Sequence, residues 1–197
     1  MPQARQDAGN AAIPREDEDI EAALRAGDKR RALIHMMDRY GQTVLRFAYG
    51  MSHDRQIAEE VRQQVFSEAH RDIDRFAGRS SIGTWLIGIT RHRCLDAAKA
   101  RNRWNNRFKN EPDDEPVAEC DPGIELDKSR LASVLAGCLD KLAPAAREAV
   151  VLRYQQELSY EQAAAITREQ AGTLQQRVAR AMPVLRKCVE ARLGGAP

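Results

Sequence analysis

The C-terminal part of the chain concentrates side chains that bind nucleic acids. An apolar stripe at helical spacing runs through Leu174, Val178, Ala181 and Leu185. A different face of the same predicted helix carries Thr173, Gln176, Arg177 and Arg180. Hydroxyl, amide and guanidinium groups of this kind bind phosphates and base edges in a major groove. Ser159 can cap a shorter helix before it, and residues 167–170 break the pattern. The stretch therefore predicts a helix-turn-helix whose second helix reads DNA; the alternative is an ordinary amphipathic helix with a solvated polar face.

Charge is sorted along the middle of the chain. Residues 79–109 hold eight Lys or Arg and a single acid, Asp96. Residues 111–127 hold eight acids and no Lys or Arg. A basic block beside an acidic one is typical of a nucleic-acid surface next to a repelling linker. The alternative is two solvated stretches that carry opposite charge by chance.

Catalytic and metal-binding patterns are weak in this sequence. The sequence has four cysteines, and none of them forms a CxxC: Cys94, Cys120, Cys138 and Cys188. Their wide spacing predicts no disulfide framework and no zinc site. We therefore expect reduced thiols. His92 and Cys94 would lie about 200° apart on a helix and would not hold one ion together. The sequence has no Gly-rich phosphate loop and no nucleophile–base pair at useful spacing. We therefore expect no metal, no cofactor and no enzymatic activity.

The elements that position these residues are predicted to be helical. Of the 197 residues, 30% are charged and only 5% aromatic, which favours helices with solvated faces. Apolar stripes run from Leu33 to Met51 and again through Val61, Val65, Ala69 and Ile73. A loop at 76–81 with Gly78 as its flexible point precedes a third helix, which begins near Thr84 and runs past Arg103.

The predicted fold class is all-α, with two small helical domains joined by an acidic flexible linker. The expected boundaries are a disordered N-terminus at 1–16, a first domain at 17–104, the linker at 105–127 and a helix-turn-helix domain at 128–193. The N-terminus has no apolar core of signal-peptide length, and no apolar run approaches about 18 residues. These features predict a cytoplasmic protein without membrane insertion.

Several short motifs along the chain resemble those of a known family. RYG at 39–41, AEEV at 58–61, GRSS at 78–81 with TWL at 84–86, and the run at 91–96 resemble the polymerase-binding and −10-reading domain of extracytoplasmic-function (ECF) sigma factors of the sigma-70 family, group 4. CLDKLAPAAREAVVLRY, LSYEQAAA and GTLQQRVARA resemble the −35-reading domain of that family. The ordered set covers about 130 residues and identifies the chain as a member.

The resemblance implies a dissociable subunit that gives core RNA polymerase its promoter specificity. Its partners would be core RNA polymerase, promoter DNA and an anti-sigma factor. The polymerase-binding residues would be Tyr40, Glu59, Glu60 and Gln63. Contacts to the −10 element would come from Gly78, Arg79, Ser80, Ser81, Trp85, Arg91, His92, Lys99, Arg101 and Arg103. Contacts to the −35 element would come from Gln170, Thr173, Gln176, Arg177 and Arg180.

Two of these assignments have structural alternatives. Trp85, like Trp104 and Phe108, could stack on an exposed base, but packing into a small helical core is favoured for Trp85. Ser80 and Ser81 fit a pocket for a flipped base, or one of them caps the third helix.

The sequence also departs from the family pattern at several positions. The acids expected in the second helix are Ile57 and Gln64, the Asn expected after Arg91 is His92, and the turn of the helix-turn-helix has Arg168 and Glu169 in place of a glycine and an apolar residue. A non-glycine residue in a left-handed turn costs roughly 1 kcal/mol. Pro183 lies within the last helix and is expected to kink it.

Two other functions remain open from the residues alone. A free-standing helix-turn-helix regulator with a helical dimerisation or sensing domain explains residues 128–197 equally well, although not the basic block in the other domain. The second alternative is a helical adaptor that binds a protein through the Met-rich stripe from Leu33 to Met51. Binding to core polymerase distinguishes both from a sigma factor.

Overall fold

The computed structural model describes residues 17–107 and 126–193, and the regular structure within these ranges is entirely helical. This confirms the all-α prediction. The N-terminal bundle consists of α1 (Glu18–Arg25), α2 (Lys29–Ser52), α3 (Arg55–Asp72) and α4 (Ile82–Arg107). The C-terminal bundle consists of α5 (Leu126–Leu139), α6 (Pro144–Val150), α7 (Tyr160–Thr167) and α8 (Ala171–Leu193). The predicted disordered N-terminus and most of the predicted linker lie outside the described residues.

The N-terminal bundle is built on the stripes that the sequence predicts. Asp28 caps α2 by accepting a hydrogen bond from the Arg31 N–H, and Asp54 caps α3 in the same way. The buried faces include Met36, Val44, Phe47 and Ala48 of α2 and Val61, Val65 and Ala69 of α3. Met37, which the stripe also included, is about half exposed because it lies at the margin of the buried face.

Helix α1 was not predicted from the sequence. It buries Ile20 and Ala23 against the bundle and is held to α2 by polar contacts. The Tyr40 hydroxyl donates a 2.6 Å hydrogen bond to the buried carboxylate of Asp17, and Arg39 makes a bidentate pair with Asp19. These contacts extend the bundle by one short helix upstream of the first strong apolar pattern.

The loop before α4 is shaped by Gly78, which has a φ of +64°. Helix α4 begins at Ile82, two residues before the predicted start, because Ser81 caps it. The Ser81 hydroxyl accepts a 3.1 Å hydrogen bond from the Thr84 N–H. Helix α4 continues to Arg107 and α5 begins at Leu126, so helix extends into both ends of the segment that we predicted as linker.

The C-terminal bundle contains a disulfide between Cys138 of α5 and Cys188 of α8. The prediction that the cysteine spacing carries no disulfide is wrong for this pair. The two residues are 50 positions apart in sequence, but the packing of α5 against α8 brings their Cα atoms to 5.8 Å. This falls within the usual Cα separation for a disulfide. Leu131 and Leu135, nearer the start of α5, are exposed.

The helix-turn-helix forms as its sequence predicts. Ser159 and Gln162 make a reciprocal capping box at the start of α7. Arg168 ends this helix in the left-handed conformation, with a φ of 59°, so the position retains the backbone geometry that usually favours glycine. Helix α8 then buries Leu174, Val178, Ala181 and Leu185 and continues past Pro183 to Leu193.

The two bundles pack directly against each other. Phe47 of α2 and Ile87 of α4 belong to the same buried cluster as the core of the C-terminal bundle. Residues 151–155, which continue α6 as a wider π-helical turn, contact α2. Sequence patterns predicted two domains but gave no indication of this interface.

Candidate nucleic-acid interface

The polar face of α8 is formed as predicted, but its four side chains are not equally available. Gln176 and Arg180 are exposed, whereas Thr173 and Arg177 are partly buried. Gln170, in the turn, is exposed beside them. Because the apolar face of α8 is fixed in the core, this polar face has a defined orientation. It can present an amide and guanidinium groups to a groove or a phosphate.

Arg177 is held by the turn residue Glu169. Its Nη1 donates a 2.7 Å hydrogen bond to Glu169 Oε1, and its Nη2 lies 2.6 Å from Oε2. These hydrogen bonds raise the pKa of the Arg177 guanidinium. Glu169 therefore replaces the apolar residue of the family pattern with a carboxylate that occupies both terminal nitrogens of a predicted DNA-contacting arginine.

The loop at 78–81 presents three exposed residues, Gly78, Arg79 and Ser80, to solvent. Ser81 is partly buried and acts as the helix cap, so the capping alternative holds for this serine. Ser80 makes one 3.3 Å hydrogen bond to the Ser81 carbonyl. The loop thus contains one serine that is bonded to α4, Ser81, and one exposed serine, Ser80, that makes no bond to the helix.

Trp85 packs beside the loop rather than standing free. Its ring centroid lies 5.2 Å from that of Phe76, and it is partly buried against the core of the N-terminal bundle. This is the core-packing arrangement that the sequence favoured. The side chain of Trp104 and the whole of Phe108 lie outside the described residues.

The basic residues of α4 differ in their surroundings. His92, Lys99, Arg101 and Arg103 are exposed, and Lys99 lies 3.7 Å from Asp96. Arg91 instead reaches Glu148 of the C-terminal bundle, with 2.5 Å between Nε and Oε1. Sequence reasoning missed Glu148 as a partner. The available signal was the position of Glu148, a carboxylate directly before the apolar run from Ala149 to Leu152.

The residues predicted to bind polymerase lie on α2 and α3. Glu60 and Gln63 are exposed, and Glu59 pairs with Arg62 at 2.8 Å. Glu60 also lines a cleft of about 360 Å³ between α3 and α4, together with Ile57 and Gln64. Tyr40 lies apart from this surface: its hydroxyl is bonded to Asp17, and its ring packs where a Cβ on Gly83 would come within 2.8 Å.

Within residues 17–107 and 126–193, no group of three His, Cys, Asp or Glu side chains is arranged to hold a metal ion. Burial raises the pKa of the Cys94 thiol to about 12, with a further contribution from the charge of Glu148. A thiol with so high a pKa is a poor nucleophile at neutral pH. None of the helices in these ranges is long and apolar enough to cross a bilayer.

Comparison with known families and proteins finds similarity to sigma factors in both bundles. The family model described as Sigma-70 region 2 matches residues 36–104, and that described as Sigma-70, region 4 matches residues 133–182. The ECF RNA polymerase sigma factor SigC of Mycobacterium tuberculosis is 33% identical over 160 residues, which cover 79% of this chain and 82% of that protein. The RNA polymerase sigma-H factor of Pseudomonas aeruginosa is 26% identical over 189 residues, covering 89% and 94%.

Solved structures show the same fold. The sigma factor RpoE in complex with the anti-sigma factor NepR from Bartonella quintana has a TM-score of 0.66 at 24% identity, covering 86% of this chain and 99% of that one. CnrH in complex with the cytosolic domain of CnrY has a TM-score of 0.63 at 23% identity, covering 88% and 97%.

Proposed function

Because the chain belongs to the extracytoplasmic-function sigma factors of the sigma-70 family, we propose that its two bundles divide promoter recognition between them. It is a promoter-directing transcription initiation factor and not an enzyme. The proposal assigns −10 reading and polymerase binding to the N-terminal bundle and −35 reading to the C-terminal bundle. The observation that carries the −35 assignment is α8, whose apolar face is buried while Gln176 and Arg180 face solvent.

For the −35 element, the reading residues are Gln170, Thr173, Gln176, Arg177 and Arg180. Arg180 and Gln176 are open to bind DNA as they stand, whereas Arg177 must first exchange its bonds to Glu169 for bonds to DNA. A carboxylate this close repels phosphate, so we assign Glu169 the role of limiting phosphate contacts by the turn.

For the −10 element, the exposed Gly78, Arg79 and Ser80 form the tip of the loop that meets an unstacked nucleobase. Ser81 anchors the end of the loop to α4. Flipping a base costs a few kcal/mol, which new contacts in the loop must offset. His92, Lys99, Arg101 and Arg103 follow along α4 as phosphate-binding groups. Arg91 joins them once it is released from Glu148, and Trp85 supports the loop from its place beside Phe76.

For core RNA polymerase, the contact surface is the exposed side of α3 with Glu59, Glu60 and Gln63, while Tyr40 fixes α1 and α4 on α2. We place the protein in the cytoplasm, where polymerase and promoter DNA are found. Both similar structures are complexes with another protein: RpoE is bound to the anti-sigma factor NepR, and CnrH is bound to the cytosolic domain of CnrY. An anti-sigma factor is accordingly proposed as a third partner.

The test is run-off transcription with core polymerase on a library of promoter fragments. Replacing Arg177 and Arg180 by Ala should lower transcription from −35-dependent promoters and leave core binding intact, as measured by fluorescence anisotropy. Each phosphate contact that is lost should reduce the salt dependence of log K by about one unit. Arg186→Ala with Lys187→Ala is the matched control, since both side chains are exposed farther along α8.

Failure of the wild-type chain to bind core polymerase would favour a free-standing helix-turn-helix regulator. Normal transcription by the Arg177/Arg180 variant would place the −35 reader elsewhere.

A further inference from the structure

A groove runs along the N-terminal bundle between α3 and α4. Each helix contributes four side chains to it at i, i+3, i+4 and i+7, from Ile57 to Gln64 and from Arg93 to Ala100. This spacing places the four residues of each helix on one face. The α3–α4 groove has a volume of about 360 Å³. An engineered apolar cavity of about 150 Å³ holds one benzene ring, so the groove has room for one or two side chains of a partner.

The floor of the α3–α4 groove is apolar. Val61 is 2% exposed, and Ile57 and Ala97 are partly buried against the core of the N-terminal bundle. Ala100 lies one helical turn beyond Ala97 and is exposed. Because both alanines end at Cβ, α4 leaves open the space that longer side chains would fill. The floor is therefore suited to bury an apolar side chain of a partner.

The rim of the groove carries negative charge. Glu60 and Asp96 are both exposed, and Asp96 lies 3.7 Å from the exposed Lys99, which makes a weak pair. Arg93 also lines the groove, but its guanidinium is bonded to Glu68, with 2.6 Å between Nε and Oε2. The charge of Arg93 is therefore largely offset, and the carboxylates of the rim attract a cation.

Two of the groove residues lie where this chain departs from the family pattern. Ile57 and Gln64 replace the acids expected in this helix, and they stand at the two ends of its groove face, about 10 Å apart along the axis. A carboxylate on the floor would lose hydration when a partner covers it, which is unfavourable. The departures thus replace charge by apolar and neutral surface, while Glu60 between them keeps its carboxylate.

We propose that the α3–α4 groove is a contact site for core RNA polymerase and binds an apolar side chain of a polymerase helix that carries a neighbouring Lys or Arg. The inference rests on the proposed assignment of α3 to polymerase binding, and Glu60 belongs to both surfaces. The apolar group fills the floor beside Ala100, and the cation meets Glu60 and Asp96. Ile57 and Ala100 are then specificity-determining residues, because they favour a polymerase helix with an apolar anchor over one with a cation at that point.

The principal test is fluorescence anisotropy of the labelled full chain with core RNA polymerase in the absence of DNA. Ala100→Leu fills the floor of the groove. Ala98→Leu adds the same side chain at an exposed position about 200° around α4 and serves as the control. Ala100→Leu should weaken core binding about tenfold or more, which corresponds to the loss of one buried aliphatic side chain. Ala98→Leu should bind core polymerase as the wild type does.

A second variant removes charge from the rim and decides the matter if Ala100→Leu does not fold. Glu60→Gln with Asp96→Asn should weaken core binding at low salt and have little effect at high salt, because exposed charges are screened. Ala100→Leu should weaken binding by a similar factor at every salt concentration, because apolar burial involves no charge. The control, Glu161→Gln with Glu190→Gln, removes the same charge from exposed positions of the C-terminal bundle and should change binding much less.

The groove is refuted as a polymerase site if Ala100→Leu binds core polymerase as tightly as Ala98→Leu, or if the rim variant loses no more affinity at low salt than its control. Light scattering of the free chain tests a different occupant. A wild-type dimer that becomes monomeric with Ala100→Leu would show that a second copy fills the groove and would overturn the proposal. A wild-type chain that does not bind core polymerase would overturn the proposed function itself, which the other outcomes leave intact.

Discussion

Replacing Glu169 by Gln should strengthen binding to duplex DNA even though it removes a contact. In the structure both terminal nitrogens of Arg177 are bound to this carboxylate at 2.6–2.7 Å. DNA binding through Arg177 therefore requires an ion pair to be broken first. The side chains are 31% and 29% exposed, so the pair contributes about 1 kcal/mol, near the upper end for solvent-accessible pairs. That free energy corresponds to about a fivefold change in affinity.

The assay is fluorescence anisotropy of the full chain with a labelled duplex of mixed sequence, measured over a range of salt concentrations. Phosphate contacts dominate such binding, so no knowledge of the promoter is needed. For Glu169→Gln we expect about fivefold tighter binding and a slope of log K against log salt that is steeper by about 0.9, corresponding to one additional phosphate contact.

Two controls separate this effect from a general change in charge. Glu161→Gln removes one negative charge from an exposed position on the other helix of the motif and should change affinity much less. In an Arg177→Ala background, Glu169→Gln should lose most of its effect, because there is no guanidinium to release. Equal gains from Glu161→Gln and Glu169→Gln, or an undiminished gain in the Arg177→Ala background, would refute the reasoning.

Four further outcomes follow from other residues. Ser81→Ala should lower the free energy of unfolding by about 1 kcal/mol through loss of the α4 cap. A bulky apolar residue at Ser80 should instead impair promoter opening and the discrimination of unpaired bases on a pre-melted template, and equal discrimination by variant and wild type would exclude a base pocket. Reducing the Cys138–Cys188 disulfide should destabilise the chain by about 2–4 kcal/mol in thermal unfolding, since it closes a loop of 50 residues, and a double Cys→Ser variant should be insensitive to reductant. Because burial raises the pKa of Cys94 to about 12, its contribution to stability is complete below the ordinary thiol pKa of 9.0 and declines above it. The decline should approach 1.4 kcal/mol per pH unit and should be absent from Cys94→Ala in denaturant titrations at increasing pH.

The elements that sequence predicts well are those determined by local spacing. The α8 stripe through Leu174 and Leu185 is visible because one buried face of a helix leaves a repeat of about 3.6 residues. The Ser159 cap is visible because a small hydroxyl before a helical pattern has a specific role at its first turn. Arg168 was recognised as a non-glycine residue at a turn, and it has the left-handed conformation that this position implies.

Contacts between distant segments could not be predicted in this way. Arg91 lies 57 residues from Glu148, and Cys138 lies 50 residues from Cys188. Nothing in the spacing along either helix identifies the partner, because periodicity shows which face is buried but not what covers it. Phe47 illustrates this point: its burial was predicted, yet the stripe gave no sign that it packs against the second bundle.

The last prediction concerns the cause of weak DNA binding by the free chain. The acidic segment 111–127 lies between two basic modules and can compete with phosphates for them. The structure offers a more specific competitor, since Glu148 and Glu169 each pair with an arginine proposed to contact DNA, at 2.5–2.7 Å. Charges in such contact interact far more strongly than those spread along a solvated segment, which salt screens within about 10 Å. Glu148→Gln with Glu169→Gln should therefore increase DNA binding at physiological salt more than replacing the eight acids of the segment by Asn and Gln. The latter variant should gain affinity mainly at low salt. A larger gain from the neutralised segment at physiological salt would show that the tether, and not these two carboxylates, limits DNA binding.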